Sequence, residues 1–216
     1  VPALVAMAER ATPEQAAELI YLREEIPRAI EQSLDGISRV ASIVRAMKEF
    51  SHPDRALKQA VDLNHAIETT LTVARNEYKY VADLVVELDP GLPPVPCFVG
   101  EINQTILNLV VNAAHAIAEV PGQRGRIGVA TRFCDDVAEI RISDTGPGIP
   151  DHVRPRLFTP FFTTKPVGKG TGQGLFLAHS VVVRRHGGTI AFETEVGRGT
   201  VFIVRLPLRD VALGAA

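Results

Sequence analysis

The chain has 216 residues, with 23 Lys and Arg against 25 Asp and Glu, six His, two Cys, no Trp and 46% hydrophobic residues. That balance excludes a disordered, collagen-like or disulfide-scaffold chain, and at about 150 residues per domain it suits one full domain plus a smaller appendage. A formal net charge of −2 leaves no broad basic field to hold a phosphate backbone, so nucleic acid is not an expected partner.

The opening Val1 to Ala8 lacks the basic flank and the length of a signal peptide. No uncharged apolar run approaches the ~18 residues of a membrane span. The chain therefore reads as a cytoplasmic fragment of something longer. From about Pro13 to Phe50 it is strongly helical, with Pro27 marking a helix start or kink. Ile30, Leu34, Ile37, Ala41 and Val44 form one apolar stripe, and Val40, Ile43, Met47 and Phe50 a second. Two stripes suit a bundle or dimer helix better than a lone surface helix. Ser51-His52-Pro53-Asp54 then breaks the pattern, so residues 1–53 and 54–216 are expected to be separate units.

Beyond the break, Val61 to Leu63 reads as a short strand, and Asn64 as the cap of a helix from His65 to about Tyr78. Strands follow near Leu84–Leu88 and Val95–Val99, around the turn-forming Asp89-Pro90-Gly91. Glu101 to Ala118 is an amphipathic helix, and Arg126–Phe133 with Ala138–Ser143 form a hairpin. A short helix near Asp151–Leu157, a helix from Gly174 to His186 and a final hairpin complete an α+β fold, a two-layer sandwich with helices on one side of an antiparallel-rich sheet. Cys97 and Cys134 stand in no C-x-x-C pair and have no His at metal spacing, so both read as ordinary buried thiols.

Four segments carry chemistry. In the helix from Glu101, Asn108 and Asn112 lie one above the other, and His115 sits one step round on the same polar strip. A carboxamide oxygen is a hard, uncharged ligand suited to a Mg²⁺ that already carries phosphate oxygens. Taken alone, paired Asn equally serve as caps or interhelical hydrogen bonds. Asp144-Thr145-Gly146-Pro147-Gly148-Ile149 follows a strand, where a carboxylate can accept a hydrogen bond from an amine while the backbone passes close to a ring. The same pattern alone is often a tight turn. Leu157-Phe158-Thr159-Pro160-Phe161-Phe162-Thr163-Thr164-Lys165 places apolar anchors before hydroxyls and a cation, as a pinned surface loop also would. Gly168-Lys169-Gly170-Thr171-Gly172-Gln173-Gly174-Leu175 opens a helix, and its alternating glycines let backbone N–H groups converge on an anion. It lacks the preceding strand of a dinucleotide fold and the Gly-Lys-Ser/Thr ending of a P-loop.

In this order the four segments resemble the nucleotide-binding boxes of the histidine-kinase ATP-binding domain, a branch of the superfamily that also holds gyrase and the heat-shock chaperone ATPases. His186-Gly187-Gly188-Thr189 and Gly197-Arg198-Gly199-Thr200 match that family's closing segments, so the resemblance covers roughly Val61 to Leu208. Upstream, Glu25 to Pro53 looks like the second helix of the dimerisation and phosphotransfer bundle. The resemblance implies ATP and Mg²⁺ as cofactors, a homodimer through the bundle, and a response-regulator receiver domain as partner.

By the same resemblance, Asp144 meets the adenine amino group and Gly146, Gly148 and Ile149 shape its pocket. Asn112 is the Mg²⁺ ligand, with Asn108 its neighbour beside the phosphates and His115 where the family often holds Lys. Phe158, Thr164, Lys169, Gly170, Thr171, Gly172, Gly174 and Leu175 form the rest of the nucleotide site, within and beside the lid stretch from Thr163 to Gly174. The mobile lid in that stretch offers Lys165 or Lys169 to the outer phosphates, with Gly170, Thr171, Gly172 and Gly174 permitting closure. Gln173 replaces a common Leu. None of the six His stands in the setting of the family's phosphoacceptor, which is expected upstream of Val1. A gyrase-like or chaperone-like ATPase and a degenerate scaffold are the alternatives. Hydrolysis in the former uses a Glu at the place of Asn108, a base whose loss forfeits roughly 10²–10⁴-fold.

Overall fold

The computed structural model describes residues 21–23, 25–30, 57–120, 122, 124–165 and 170–209. The double stripe expected beyond Ile30, the Ser51–Asp54 break and Lys169 lie outside them. The chain divides into two units, one of Val1–Asp54 with Lys165–Gly170 and one of Arg55–Thr164 with Thr171–Ala216. In the first, residues 21–23 and 25–30 are helical, and Pro27 lies within the helical stretch rather than at its start.

The larger unit runs β1 (Gln59–Val61), α1 (Leu63–Tyr78), β2 (Ala82–Glu87), β3 (Val95–Cys97), α2 (Val99–Ala118), β4 (Gly125–Cys134), β5 (Val137–Asp144), α3 (Gly174–His179), β6 (Thr189–Glu195) and β7 (Gly199–Pro207). Strands β2, β4, β5, β7 and β6 form one sheet in that order, parallel between β2 and β4 and antiparallel elsewhere. β1 pairs antiparallel with β3 in a separate two-stranded sheet. The expected short helix after the glycine turn is a single 3₁₀ turn at Arg154–Arg156. The expected helix from Gly174 is α-helical to His179 and π-helical over Ser180–Arg185.

Helix α2 lies at the centre, packed between α1 and α3 and against β4 and β5. Its buried positions Ile102, Ile106, Leu109, Val110, Ala113, Ala114 and Ile117 recur at three- and four-residue steps and meet Ile127 and Val129 of β4, Ile140 and Ile142 of β5 and Val204 and Leu206 of β7. Truncating one of the large aliphatics there to Ala costs about 2–5 kcal/mol.

The cap of α1 differs from expectation. Asp62, not Asn64, caps α1, its Oδ1 accepting the His65 N–H at 3.0 Å. Asn64 is spent at long range, donating to the Asp89 carbonyl at 2.8 Å and accepting from Thr131 Oγ1 at 2.8 Å. The thiols also part company, since Cys97 is buried as expected and Cys134 is exposed. Cys134 ends β4 beside a two-residue turn, where Asp135 and Asp136 have φ of 52° and 63°, the left-handed pair of a tight hairpin.

Candidate functional site

The site begins with the alternation of β5. Ala138, Ile140 and Ile142 point into the core between half-buried Glu139, Arg141 and Ser143, and the next inward position is Asp144. A carboxylate thus ends an apolar row with 8% of its surface exposed. Its Oδ1 accepts the Gly146 N–H at 2.8 Å. Burial raises the Asp144 pKa, opposed by the hydrogen bonds from the Gly146 and Thr200 backbones.

The glycine turn after it is held tightly. Gly148 has φ +73°, and a Cβ there would collide with the Glu195 carbonyl, so glycine is required. Ile149 N–H donates to Thr194 Oγ1 at 2.9 Å, and that hydroxyl also lies 3.0 Å from Thr200 Oγ1. Thr200 pairs in register with Asp144 and is 5% exposed. These two threonines of the closing hairpin were not among the expected site residues. Their signal is the register of β6 on β7, which sets Thr194 opposite Thr200 once the Val196–Arg198 turn is fixed.

Helix α2 supplies the facing strip. Asn108, Asn112 and His115 are half-buried while their neighbours at 109, 110, 113 and 114 are core, the spacing placing all three on one side. Asn108 accepts from Gln104 Nε2 at 3.0 Å, and its Nδ2 donates to the Gly174 carbonyl at 3.4 Å. At the other end of the strip, a Cβ on Gly146 would stand 2.9 Å from the Ala116 Cβ. So α2 touches the glycine run beside Asn108 and the Asp144 turn beside Ala116, about 12 Å further along its axis at ~1.5 Å per residue.

The start of α2 is pinned. His186, 3% exposed, accepts the Phe98 N–H on Nε2 at 3.0 Å while its Nδ1 faces the Val181 carbonyl at 2.9 Å, which fixes the neutral Nδ1–H form. Phe98 precedes α2 and has no side-chain cap of its own, so the imidazole occupies an otherwise orphaned helix donor. Burial lowers the His186 pKa, offset in part by its bond to Val181. Arg185 clasps Glu101 of the first α2 turn at 2.7 Å and stacks 4.6 Å over the Phe98 ring.

The aromatic segment anchors rather than opens. Phe158 packs on the core, its ring 5.1 Å from that of His179 and 6.1 Å from Phe192. Phe161 is 65% exposed with φ 61°, and a Cβ on Gly172 would collide with its carbonyl carbon, so the root of the glycine run rests on this peptide. Thr164 and Thr171 are exposed, and Leu175 is partly buried against the core. Lys165 and Gly170 belong to the other unit. The larger unit therefore brings together Asp144, Gly146, Gly148 and Ile149 at one end of α2 and Asn108 with Gly174 at the other.

Among the described residues, no group of three or more His, Cys, Asp or Glu is placed to hold a metal. The available hard donors are the carboxamides of the α2 strip, a set that suits an ion arriving with its own phosphate ligands. No helix among the described residues is long and apolar enough to cross a membrane.

The family model described as histidine kinase-, DNA gyrase B-, and HSP90-like ATPase matches residues 99–210. The sensor kinase CckA of Brucella abortus (strain 2308) is 35% identical over 188 residues, covering 79% of this chain and 19% of that protein. The catalytic domain of the histidine kinase ThkA, in a nucleotide-free form, superposes with TM-score 0.59 at 30% identity, over 68% of this chain and 95% of that one. ThkA in complex with the response regulator protein TrrA superposes with TM-score 0.64 over 97% of this chain and 67% of that one, at 22% identity, a likeness of fold. The chain spans less than half the length of the curated relatives it matches.

Proposed function

The chain belongs to the histidine kinase-, DNA gyrase B- and HSP90-like ATPase family, and from that premise we propose that it is the ATP-binding catalytic part of a sensor histidine kinase. In this reading the full-length protein transfers the γ-phosphoryl group of ATP to a histidine and thence to an aspartate of a response-regulator receiver domain. The observation that carries it is the buried Asp144 carboxylate at the end of β5, set across from the Asn108, Asn112 and His115 strip.

Asp144 accepts the hydrogen of the adenine amino group, and its desolvation makes that bond count for more than it would in water. The Gly146–Gly148 turn lets the backbone approach the ring, and Ile149 supplies apolar contact. Asn112 and Asn108 line the phosphate end, where Asn112 holds Mg²⁺. When bound, that ion neutralises phosphate charge, as phosphoryl transfer requires. His115 donates one hydrogen bond toward the phosphates and adds a charge only when protonated. Thr164, Thr171, Gly172 and Gly174 are proposed as the larger unit's part of the lid over the triphosphate. Phe158 sets the position of the lid's first strand of chain through its stack on His179.

Two observations favour transfer over hydrolysis. Residue 108 carries no carboxylate, and its carboxamide is already engaged with Gln104 and Gly174, so this position supplies no general base for water. ThkA, whose catalytic domain superposes on this chain, is the protein seen with a response regulator. Residues 1–53 are proposed as part of the helical bundle through which the full-length protein dimerises, and the chain as cytoplasmic. Incubating the full-length protein with γ-labelled ATP tests the reading. Label held on a histidine is the expected result, and release of inorganic phosphate with no labelled histidine overturns it.

A further inference from the structure

One side chain beside the phosphate end is not used by the reading above. Gln173 immediately precedes Gly174, whose carbonyl receives the Asn108 Nδ2–H. Its own backbone is engaged, the carbonyl accepting from Leu177 N–H at 2.8 Å and the N–H donating to Thr171 Oγ1 at 3.4 Å. Its side chain is different. Gln173 is 7% exposed, and its Oε1 is fully buried with no hydrogen-bond partner among the described residues.

Withdrawing an amide oxygen from water without a partner is costly, and an apolar side chain of similar volume would fill the place without that cost. A polar group kept buried and unpaired beside a binding site is one whose partner arrives with the ligand. The chemistry of that partner is restricted. Oε1 only accepts, and so do the oxygens of an ionised triphosphate, so the phosphates offer it no proton. What the phosphate end can offer is a cation or the water it carries, and Mg²⁺ keeps several waters when it is held mainly through phosphates.

We propose that Gln173 is a further residue of the metal–nucleotide site, its Oε1 accepting a hydrogen bond from a water on the Mg²⁺ of Mg·ATP. This rests on the nucleotide-site reading above. It assigns to Gln173 the coupling of metal to affinity at the mouth of α3, beside Asn108, and leaves the adenine end to Asp144.

The test is calorimetric titration of ATP into the 216-residue chain, with Mg²⁺ and with a chelator, for wild type, Gln173→Leu and Gln173→Glu, with melting of each ligand-free protein. Gln173→Leu is expected to melt about 3 °C higher without ligand. It should keep the metal-free affinity and bind Mg·ATP about tenfold more weakly. Gln173→Glu keeps an acceptor oxygen, so it should retain the Mg²⁺-dependent gain while melting lower, because it buries a charge. A Gln173→Leu protein with the full Mg²⁺-dependent gain overturns the proposal. So does an equal loss with and without Mg²⁺, which places the amide N–H on a phosphate instead. A wild-type chain that binds no ATP under either condition overturns the nucleotide-site reading and this proposal with it.

Discussion

Exchanging Asp144 for Asn alters charge and almost nothing else in shape. One oxygen remains for the Gly146 N–H now held at 2.8 Å, and the other is replaced by an NH₂. An adenine amino group is a donor, so the variant meets it with a second donor. Loss of a hydrogen bond to a charged, desolvated acceptor is worth about 1.5–3 kcal/mol. At ~1.4 kcal/mol per decade, that is a weakening of about 10- to 150-fold in ATP affinity. The ligand-free protein responds with its own sign. Burial raises the folded-state pKa of Asp144 above its unfolded value of about 3.9. The contribution of this group to stability is therefore fully present below the unfolded pKa and lost as pH rises through the folded one. The Asn variant has no such loss. The difference in melting temperature, variant minus wild type, should grow as pH rises from about 4 toward 7. Calorimetric titration of ATP and ligand-free melting across that range measure both. An affinity within about threefold of wild type, or a melting difference flat with pH, refutes the placement of a desolvated carboxylate against the adenine.

Three further outcomes follow from other parts of the site. His186→Ala should lose about 3 kcal/mol at neutral pH, since it strands the Phe98 N–H and leaves a cavity, while the Val181 carbonyl keeps the backbone N–H of residue 186. Burial lowers the His186 pKa, so its stabilising contribution is present above the unfolded value of about 6.5 and fades as pH falls through the folded value. Denaturant unfolding at two pH values should show the gap between wild type and variant narrowing on acidification. A constant gap contradicts the neutral assignment. Gly148→Ala, at φ +73° and against the Glu195 carbonyl, should destabilise by clearly more than Gly187→Ala, at φ +67° in open space, which costs about 1 kcal/mol. Equal losses in thermal melts would mean that the turn around Gly148 yields. Asn112→Ala should remove about tenfold of the Mg²⁺-dependent part of ATP binding and spare the rest. A variant with its full Mg²⁺ response in titration assigns the metal to a residue other than Asn112.

What the sequence makes legible is periodic or local. The α2 strip follows from helical spacing alone, and Asp144 follows from the two-residue alternation of β5 running one step past its last isoleucine. The order of the four motif segments carries the family. What escapes is set by partners distant in the chain. Asn64 looks like a cap because capping is a local signal, yet Asp89 and Thr131 claim its side chain and Asp62 caps in its place. The Asp89-Pro90-Gly91 turn suggests neighbouring strands, but β2 pairs in parallel with β4 while β3 returns to β1. The clasp of His186 and Arg185 on the start of α2 joins residues more than 80 apart in sequence, and no spacing rule announces it. Cys134 is exposed because it falls in the last three residues of β4, all of them exposed, a matter of where the strand ends rather than of composition.

The adenine-nucleotide site along α2, from Asp144 to Gly174, is tested most directly by titrating ATP, ADP and GTP into nucleotide-stripped protein, with and without Mg²⁺. ATP and ADP are expected to bind and GTP not to, with Mg²⁺ strengthening ATP binding. Equal binding of GTP and ATP, or no binding by a protein that melts cooperatively, would contradict it.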